Sequence, residues 1–236
     1  EGIYATLTAA ITDLNLRGVS GATRFLLTDS RYDVAAQLAV LITSANKPTA
    51  TNRVTFKPAA GMNDTISVNS TGAAFVVASP FVAIDGSNTN GGTTRNMVIM
   101  NIGTGTSSGG VFVSSAEGVI VKNIRTRSAN GSLAYGIIFS DSRNGLVENC
   151  NPARTAIGIQ GQSNSLNLKI MNNEVGYGFD PTTTFADSIN SYGIGLVSSP
   201  DYEVVGNKIS GIIKYNSATP DGIIVGSVTS GIGSNN

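Results

Sequence analysis

The chain has no histidine, no tryptophan, one cysteine and little charge, with Asp, Glu, Lys and Arg together making 13% of its 236 residues. Each shortage removes some chemistry. Without histidine there is no His-based triad, no His general base and no His metal site. A single cysteine, Cys150, excludes an internal disulfide. Fifteen basic residues balance fifteen acidic ones and no basic cluster stands out, so the concentrated cationic face that binds nucleic acid is missing. No apolar run approaches the ~18 residues of a membrane span, and no signal peptide opens the chain. The chain starts at Glu1 and stops at Ser234-Asn235-Asn236 directly after a strand-like run. It is therefore expected to be a processed or excised piece of something longer.

What the chain does have is glycine, 28 residues of it, and recurring aliphatic and β-branched runs that can build a core despite the low charge. From Met97 to Ile209 one phrase recurs: Ile99-Met100-Asn101-Ile102, Val121-Lys122-Asn123-Ile124, Val147-Glu148-Asn149-Cys150, Met171-Asn172-Asn173-Glu174-Val175 and Val205-Gly206-Asn207-Lys208-Ile209. Each is a short β-prone run that ends on asparagine and then resumes with an apolar residue. The intervals between Asn101, Asn123, Asn149, Asn173 and Asn207 are 22, 26, 24 and 34 residues. A recurrence in the twenties with Gly, Asn and Ser between strand-like runs fits a parallel β-helix, one supersecondary turn per repeat. In such a stack an inward-turned Asn amide can donate to one neighbour and accept from the other. Equally, Asn can take the left-handed conformation of a sharp corner. Cys150 stands where Ile102 and Ile124 stand in the phrase, which predicts a buried apolar thiol rather than a nucleophile.

Residues 7–16 read as a helix, with Leu7, Ala10, Ile11 and Leu14 on one stripe, Thr6 as N-cap and Gly18 as the left-handed terminator. At the end of a stacked β structure such a helix would cover the first coil, whose open backbone edge otherwise templates aggregation. The alternative is a helix joining two modules. Strand-like runs follow at 24–28, 37–42 and 53–57, separated by turn signals that include Asp29-Ser30-Arg31 and Pro58-Ala59-Ala60-Gly61. The stacked coils are expected over 53–228 within a single domain spanning 1–236. At ~4.8 Å per strand, roughly seven coils would make a rod roughly 30–35 Å long. The excursion Tyr177–Tyr192 reads as a protruding loop.

The repeated strand–Asn–apolar phrase, with Phe81-Val82-Ala83-Ile84-Asp85-Gly86 and the Gly/Asn/Ser/Thr-rich turn after it, resembles right-handed parallel β-helices of the pectin-lyase-like class. The opening Tyr4-Ala5-Thr6-Leu7-Thr8-Ala9-Ala10-Ile11, the Gly18-Val19-Ser20-Gly21 turn and Asp85-Gly86-Ser87-Asn88 are similar to β-helix segments of very long secreted bacterial surface proteins. Those proteins are commonly exported by the type IX system and described as adhesin-like. The resemblance covers essentially the whole chain. It implies an all-β, right-handed parallel β-helix with a short N-terminal capping helix.

Polysaccharide-cleaving members of that class pair carboxylates, or use a basic Lys or Arg with calcium held by several acids. Here no two carboxylates of the coiled region are adjacent in sequence, the nearest pair being Asp201 and Glu203. The polygalacturonase pattern, which needs a histidine, is absent. If the asparagines align, Lys122 stacks beside Glu148, with Asp141, Arg143, Arg125 and Arg127 expected near by as a charged groove for acidic or neutral sugar. The competing reading is a surface ion pair contributing a few tenths of a kcal/mol. Asp85-Gly86-Ser87-Asn88-Thr89-Asn90-Gly91 invites a calcium loop, but it lacks alternating acids and the closing Glu of an EF-hand. A turn closed by Asp85 onto its own backbone accounts for it better, so no cofactor and no metal is assigned. Tyr177, Phe179 and Phe185 offer stacking platforms for sugar rings, against packing under their own loop.

The reading that results is a non-catalytic structural or adhesive module of a secreted or cell-surface protein, with weak glycan binding along one flank. Its partners would be extracellular polysaccharide or neighbouring modules. The alternatives are a polysaccharide lyase or glycoside hydrolase whose site is assembled across coils, and a self-assembling filament subunit.

Overall fold

The structure, a computed structural model, describes residues 3–105, 107–128, 135–176, 189–212 and 221–226. Helix α1 (Leu7–Arg17) comes first. Seven coils of three strands each then follow in strict order. The first coil is β1 (Thr23–Leu27), β2 (Arg31–Val34) and β3 (Leu38–Val40), and the second is β4 (Val54–Pro58), β5 (Asp64–Val68) and β6 (Ala73–Val77). The third is β7 (Val82–Asp85), β8 (Met97–Asn101) and β9 (Gly109–Ser114), and the fourth is β10 (Ile120–Lys122), β11 (Ile124–Ser128) and β12 (Tyr135–Ser140). The fifth is β13 (Leu146–Glu148), β14 (Asn151–Ala153) and β15 (Thr155–Gln162), and the sixth is β16 (Leu168–Met171), β17 (Glu174–Gly176) and β18 (Ile189–Leu196). The seventh is β19 (Tyr202–Val205), β20 (Lys208–Ser210) and β21 (Asp221–Val225).

The first strands of all seven coils form one parallel sheet, A. The third strands form another, C. The second strands form sheet B, five-stranded from β2 to β14, with β17 and β20 pairing separately. The molecule is thus a right-handed parallel β-helix. Stacking already starts at β1, which pairs with β4, ahead of the 53–228 section expected from the sequence. The Asp29-Ser30-Arg31 turn signal also hid β2, which pairs in register with β5.

Parallel stacking turns each inward position into a column along the rod. In sheet A, Phe25, Phe56, Ile84, Val121, Val147, Ile170 and Val204 lie one above the next. The two phenylalanines stack at 4.9 Å and 12°, and Phe75 of sheet C meets Phe56 edge-on at 5.5 Å. Sheet C adds Phe75, Val111, Ile137, Ile159 and Ile194, all fully buried. Each such side chain contributes about 1.5–3 kcal/mol by leaving water.

Helix α1 closes the first coil. The Thr6 hydroxyl accepts from the Ala9 amide at 3.1 Å, Gly18 ends the helix at φ 68°, and Leu7, Ala10, Ile11 and Leu14 are buried. The Asn15 amide donates to the Ala39 carbonyl and its oxygen accepts from Leu41 N. One helical side chain therefore engages backbone groups of the segment at the open edge of sheet C, as edge protection requires.

The corners follow from backbone conformation. In the last four coils sheet A turns into sheet B through one left-handed residue each, Asn123 (φ 57°), Asn149 (49°), Asn172 (54°) and Gly206 (66°), residue types that tolerate this region. Sheet C turns into sheet A through a longer corner with two such columns, Ser115, Asp141, Ser163 and Ser198, then Phe81, Gly118, Asn144, Asn167 and Asp201. Between them runs a buried serine ladder. Ser142 Oγ accepts from Ala116 N, Ser165 Oγ accepts from Ser142 N, and Ser199 Oγ donates to the Ser165 carbonyl at 2.7 Å.

A few buried side chains break the pattern of satisfied ladders, and Asp64 is the carboxylate among them. Asp64 opens β5 beside Met97, is 1% exposed, and neither carboxylate oxygen has a hydrogen-bond partner among the described residues. Burial, with the nearby Asp29 charge second, pushes its pKa up to about 7.

Candidate functional site

The five asparagines of the phrase do not form one column. Asn123 and Asn149 sit at the left-handed A/B corner, and register places Asn172 rather than Asn173 with them. Asn173 and Asn207 fall one position later, in the inward column that Ile124 and Cys150 occupy. Asn101 lies elsewhere, at the end of β8, fully buried, where its amide donates to the Gly72 and Gly109 carbonyls and its oxygen accepts from Gly103 N. The phrase Met171-Asn172-Asn173 offers two candidates, and backbone conformation decides between them: Asn172 has φ 54°.

The two columns serve different ends. At the corner, Asn149 Nδ2 donates to Asn123 Oδ1 at 2.8 Å, and Asn123 Nδ2 donates to Asp85 Oδ1 at 2.7 Å. One position on, Asn173 Nδ2 donates to Asn207 Oδ1 and to the Val147 carbonyl, while Asn173 Oδ1 accepts from Cys150 N. Asn207 Nδ2 reaches the Ile170 carbonyl at 2.8 Å. Cys150 itself is fully buried, and desolvation pushes its thiol up to about 12. It is a packed apolar group and not a nucleophile.

The segment 86–96 folds back over the corner column. The Gly92 and Thr93 carbonyls accept from Asn123 and Asn149 Nδ2, and Ser87 N donates to Asp85 Oδ1, closing the turn on its own backbone. Arg95 then fastens the segment down. Its Nε donates to the Asn149 carbonyl, one terminal nitrogen to Asn149 Oδ1, and the other to Glu174 at 2.9 Å. A Cβ on Gly86 would overlap the Asn123 carbonyl, so glycine is required where the segment leaves β7.

Between this segment and the outer face of sheet A lies a groove of about 310 Å³, lined by Gly91, Gly92, Thr93, Lys122, Glu148 and Asn172, with the corner Asn123 and Asn149 at its base. Lys122 and Glu148 are register partners. The Lys122 ammonium nevertheless pairs with Asp85 Oδ2, at 3.5 Å, on the preceding coil. One step beyond the Phe56–Ile84 pair, register also brings Lys57 beside Asp85, so the outer column alternates in sign as Lys57, Asp85, Lys122 and Glu148. Sequence reading placed the last two together, passed over Lys57 and read Asp85 for its turn alone, because β4 and β7 end without the asparagine phrase.

The wider charged group does not assemble. Asp141 and Arg143 sit at the opposite end of β13, in the C/A corner, where Asp141 accepts from the Ser115 hydroxyl and Arg143 bridges Glu117 and Leu166 through its backbone. Both are exposed. Arg125 and Arg127 belong to sheet B. Arg127 is buried and donates to the Asn151 carbonyl and side chain, and Arg125 is held below its usual pKa by burial and by Arg95. Tyr177, Phe179 and Phe185 lie outside the described residues. Among the described residues no three His, Cys, Asp or Glu side chains gather as a metal site.

What the groove offers is hydrogen bonding. Glu148 is half-buried and has no hydrogen-bond or ion-pair partner among the described residues, and the same holds for the Asn172 side chain. A free carboxylate, a free amide and the Lys122 ammonium thus share one shallow surface.

No protein-family model matches the chain, and no curated protein matches it. Among solved structures, the deglycosylated pectin methylesterase from Aspergillus niger aligns over 96% of this chain and 83% of its own, at 13% identity and a TM-score of 0.45. A penultimately deglycosylated form of the same enzyme aligns over the same shares at 14% identity and 0.44. No helix among the described residues is long and apolar enough to cross a membrane.

Proposed function

We propose that the chain is a non-catalytic, rigid β-helical module of a secreted or cell-surface bacterial protein that holds glycan weakly in the groove over the A/B corner. The observation that carries this reading is the contrast within the groove. The corner amides are engaged with one another and with the 86–96 segment, while Glu148 and Asn172 are left free beside Lys122. Acceptors and donors held on a stacked sheet are pre-organised, so binding a polyol loses little conformational freedom in the protein. Three or four exchanged hydrogen bonds at about 1 kcal/mol each correspond to dissociation constants on the order of millimolar. The secreted, adhesin-like setting rests on the sequence resemblance.

The test is a panel of neutral and acidic polysaccharides offered to the purified chain, with and without calcium, read both for binding by calorimetry and for new reducing ends. The expected result is saturable binding to some members, weakened about fivefold or more by Glu148→Gln combined with Asn172→Ala, and no new reducing ends. Sustained release of reducing ends would overturn the module reading. Binding indifferent to those two substitutions would remove the groove from it.

A further inference from the structure

A second groove, of about 350 Å³, lies at the other margin of the sheet A face, where the C/A corner meets Ile120 and Leu146. It is organised by Arg53, which precedes β4 and falls by register at the head of the corner column that continues through Phe81, Gly118, Asn144 and Asn167. The Phe81 ring leans over Gly118, whose place a Cβ would contest at 2.6 Å from the ring. The Arg53 guanidinium in turn lies 5.7 Å from the ring centroid and donates through one terminal nitrogen to the Gly118 carbonyl.

The rest of that guanidinium is unused. Among the described residues no carboxylate pairs with Arg53, and its Nε and second terminal nitrogen have no acceptor. The side chain is half-buried, and burial alone holds its pKa below the usual arginine value. The other cation at the groove, Lys169, is already paired with Glu203 at 2.8 Å. The corner amides run in one direction, Asn167 Nδ2 to Asn144 Oδ1 at 2.7 Å and Asn144 Nδ2 to Glu117 at 3.2 Å, which leaves the Asn167 oxygen and a second amide proton at the rim. Among the described residues no acidic side chain lines the groove. An unpaired guanidinium edge beside an apolar floor is complementary to an oxyanion attached to a flat apolar body, because the Nε edge presents two parallel N–H groups that two oxygens of one anion can accept.

We infer that this groove is a binding site for an organic oxyanion, a carboxylate or a sulfate monoester carried on a flat apolar ring. Arg53 takes the anion by its fork, Ile120 and Leu146 take the ring face, and Asn167 sets the orientation. The site is separate from the glycan groove and does not rest on that reading.

The experiment is an amide-resolved NMR titration of the whole chain with benzoate, phenyl sulfate and the uncharged benzyl alcohol. Saturable shifts are expected at the Gly118, Asn144 and Asn167 amides, with a dissociation constant on the order of 1 mM for at least one anion. Benzyl alcohol is expected to bind about tenfold more weakly or not at all, since it lacks the charge-assisted pair. Arg53→Met keeps the aliphatic stem and removes the fork. It should weaken anion binding about tenfold, while Glu148→Gln in the other groove leaves it unchanged. Arg53→Lys retains the charge without the fork and should fall between the two; it serves as the test where the methionine variant does not fold. Which anion binds tighter identifies the oxyanion. Absence of saturable shifts, equal affinity for benzyl alcohol, or unchanged affinity in both Arg53 variants would each overturn the inference.

Discussion

Asp64→Asn should make this protein more stable at neutral and alkaline pH, an unusual direction for a substitution at a fully buried polar site. In the folded state the Asp64 carboxyl titrates at about 7, against 3.8 ordinarily, because burial disfavours the charged form and Asp29 adds a like charge. The unfolded chain releases this proton near the ordinary value. Since the folded value is the higher one, the contribution of the protonated group is fully present below about pH 4. It is lost as pH rises through about 7, and the resulting penalty is constant above that. At about 1.4 kcal/mol per pH unit, the gap is on the order of 4 kcal/mol as an upper bound. Asparagine has the shape of the protonated acid and never carries the charge. The assay is urea unfolding followed by far-ultraviolet circular dichroism, on both proteins, at about pH 4, 5.5, 7 and 8.5. Other carboxylates titrate alike in both, so the difference isolates this residue. It should be near zero at the acid end and rise to about 2–4 kcal/mol in favour of the variant at the alkaline end. Asp29→Asn should move the wild-type transition toward lower pH by relieving the second cause. A difference that does not change with pH, or a variant less stable than wild type at about pH 8.5, would refute the argument that Asp64 is buried uncompensated.

Arg95→Ala removes three hydrogen bonds, one to a carboxylate, that fasten the 86–96 segment to Asn149 and Glu174, and should cost about 2–3 kcal/mol in urea unfolding. The exposed Arg31–Asp33 pair provides the comparison, and Arg31→Ala should leave the unfolding midpoint essentially where it is, because solvent screens the pair. Asn149→Gly keeps the left-handed corner (φ 49°) but loses the amide ladder, whereas Asn149→Ala loses both, so alanine should be the more destabilising by about 1 kcal/mol. Gly118→Ala should be destabilising by more than about 1 kcal/mol, since it combines φ 64° with the Phe81 ring, while Gly21→Ala, with nothing within 4 Å, should be nearly neutral. Cys150, buried with its thiol held near 12, should resist maleimide labelling in the folded protein at about pH 7 and react only on unfolding.

The coil repeat was legible because it is written in inward columns, and inward columns tolerate little. Val121, Val147 and Ile170 occupy one interior place in successive coils, and the residue two positions after each turns the corner. The helix was legible for the same reason, its four-residue stripe being the contact surface. Register was harder to see. Asn172 and Asn173 differ by one position, yet one lies at the corner and the other faces inward, and no pattern of residue types separates two adjacent asparagines. Only the backbone sign, φ 54° at Asn172, distinguishes them. The serine ladder of Ser142, Ser165 and Ser199 escaped notice because the corner that holds it varies in length, with three residues between Ser163 and Asn167 where Asp141 and Asn144 have two.

The outer face of sheet A obeys different physics, and this explains why the candidate site was half seen. An inward position must match the coil above and below in size, so it repeats. An outward position must match them in charge, so it alternates, and alternation at unequal intervals of 28, 37 and 26 residues looks like noise along the chain. Lys57, Asp85, Lys122 and Glu148 make sense together only once register is known. In the Lys122–Glu148 pair the register partnership was right and the ionic partner was not, since Lys122 turns to Asp85 at 3.5 Å. That choice is what leaves the Glu148 carboxylate free at the end of the alternating column. If Asp85→Asn releases Lys122, the ammonium should move to Glu148, and the groove should lose its free acceptor. Glycan binding should then weaken although neither of its proposed contact residues has been altered, an outcome that a groove acting through shape alone would not produce.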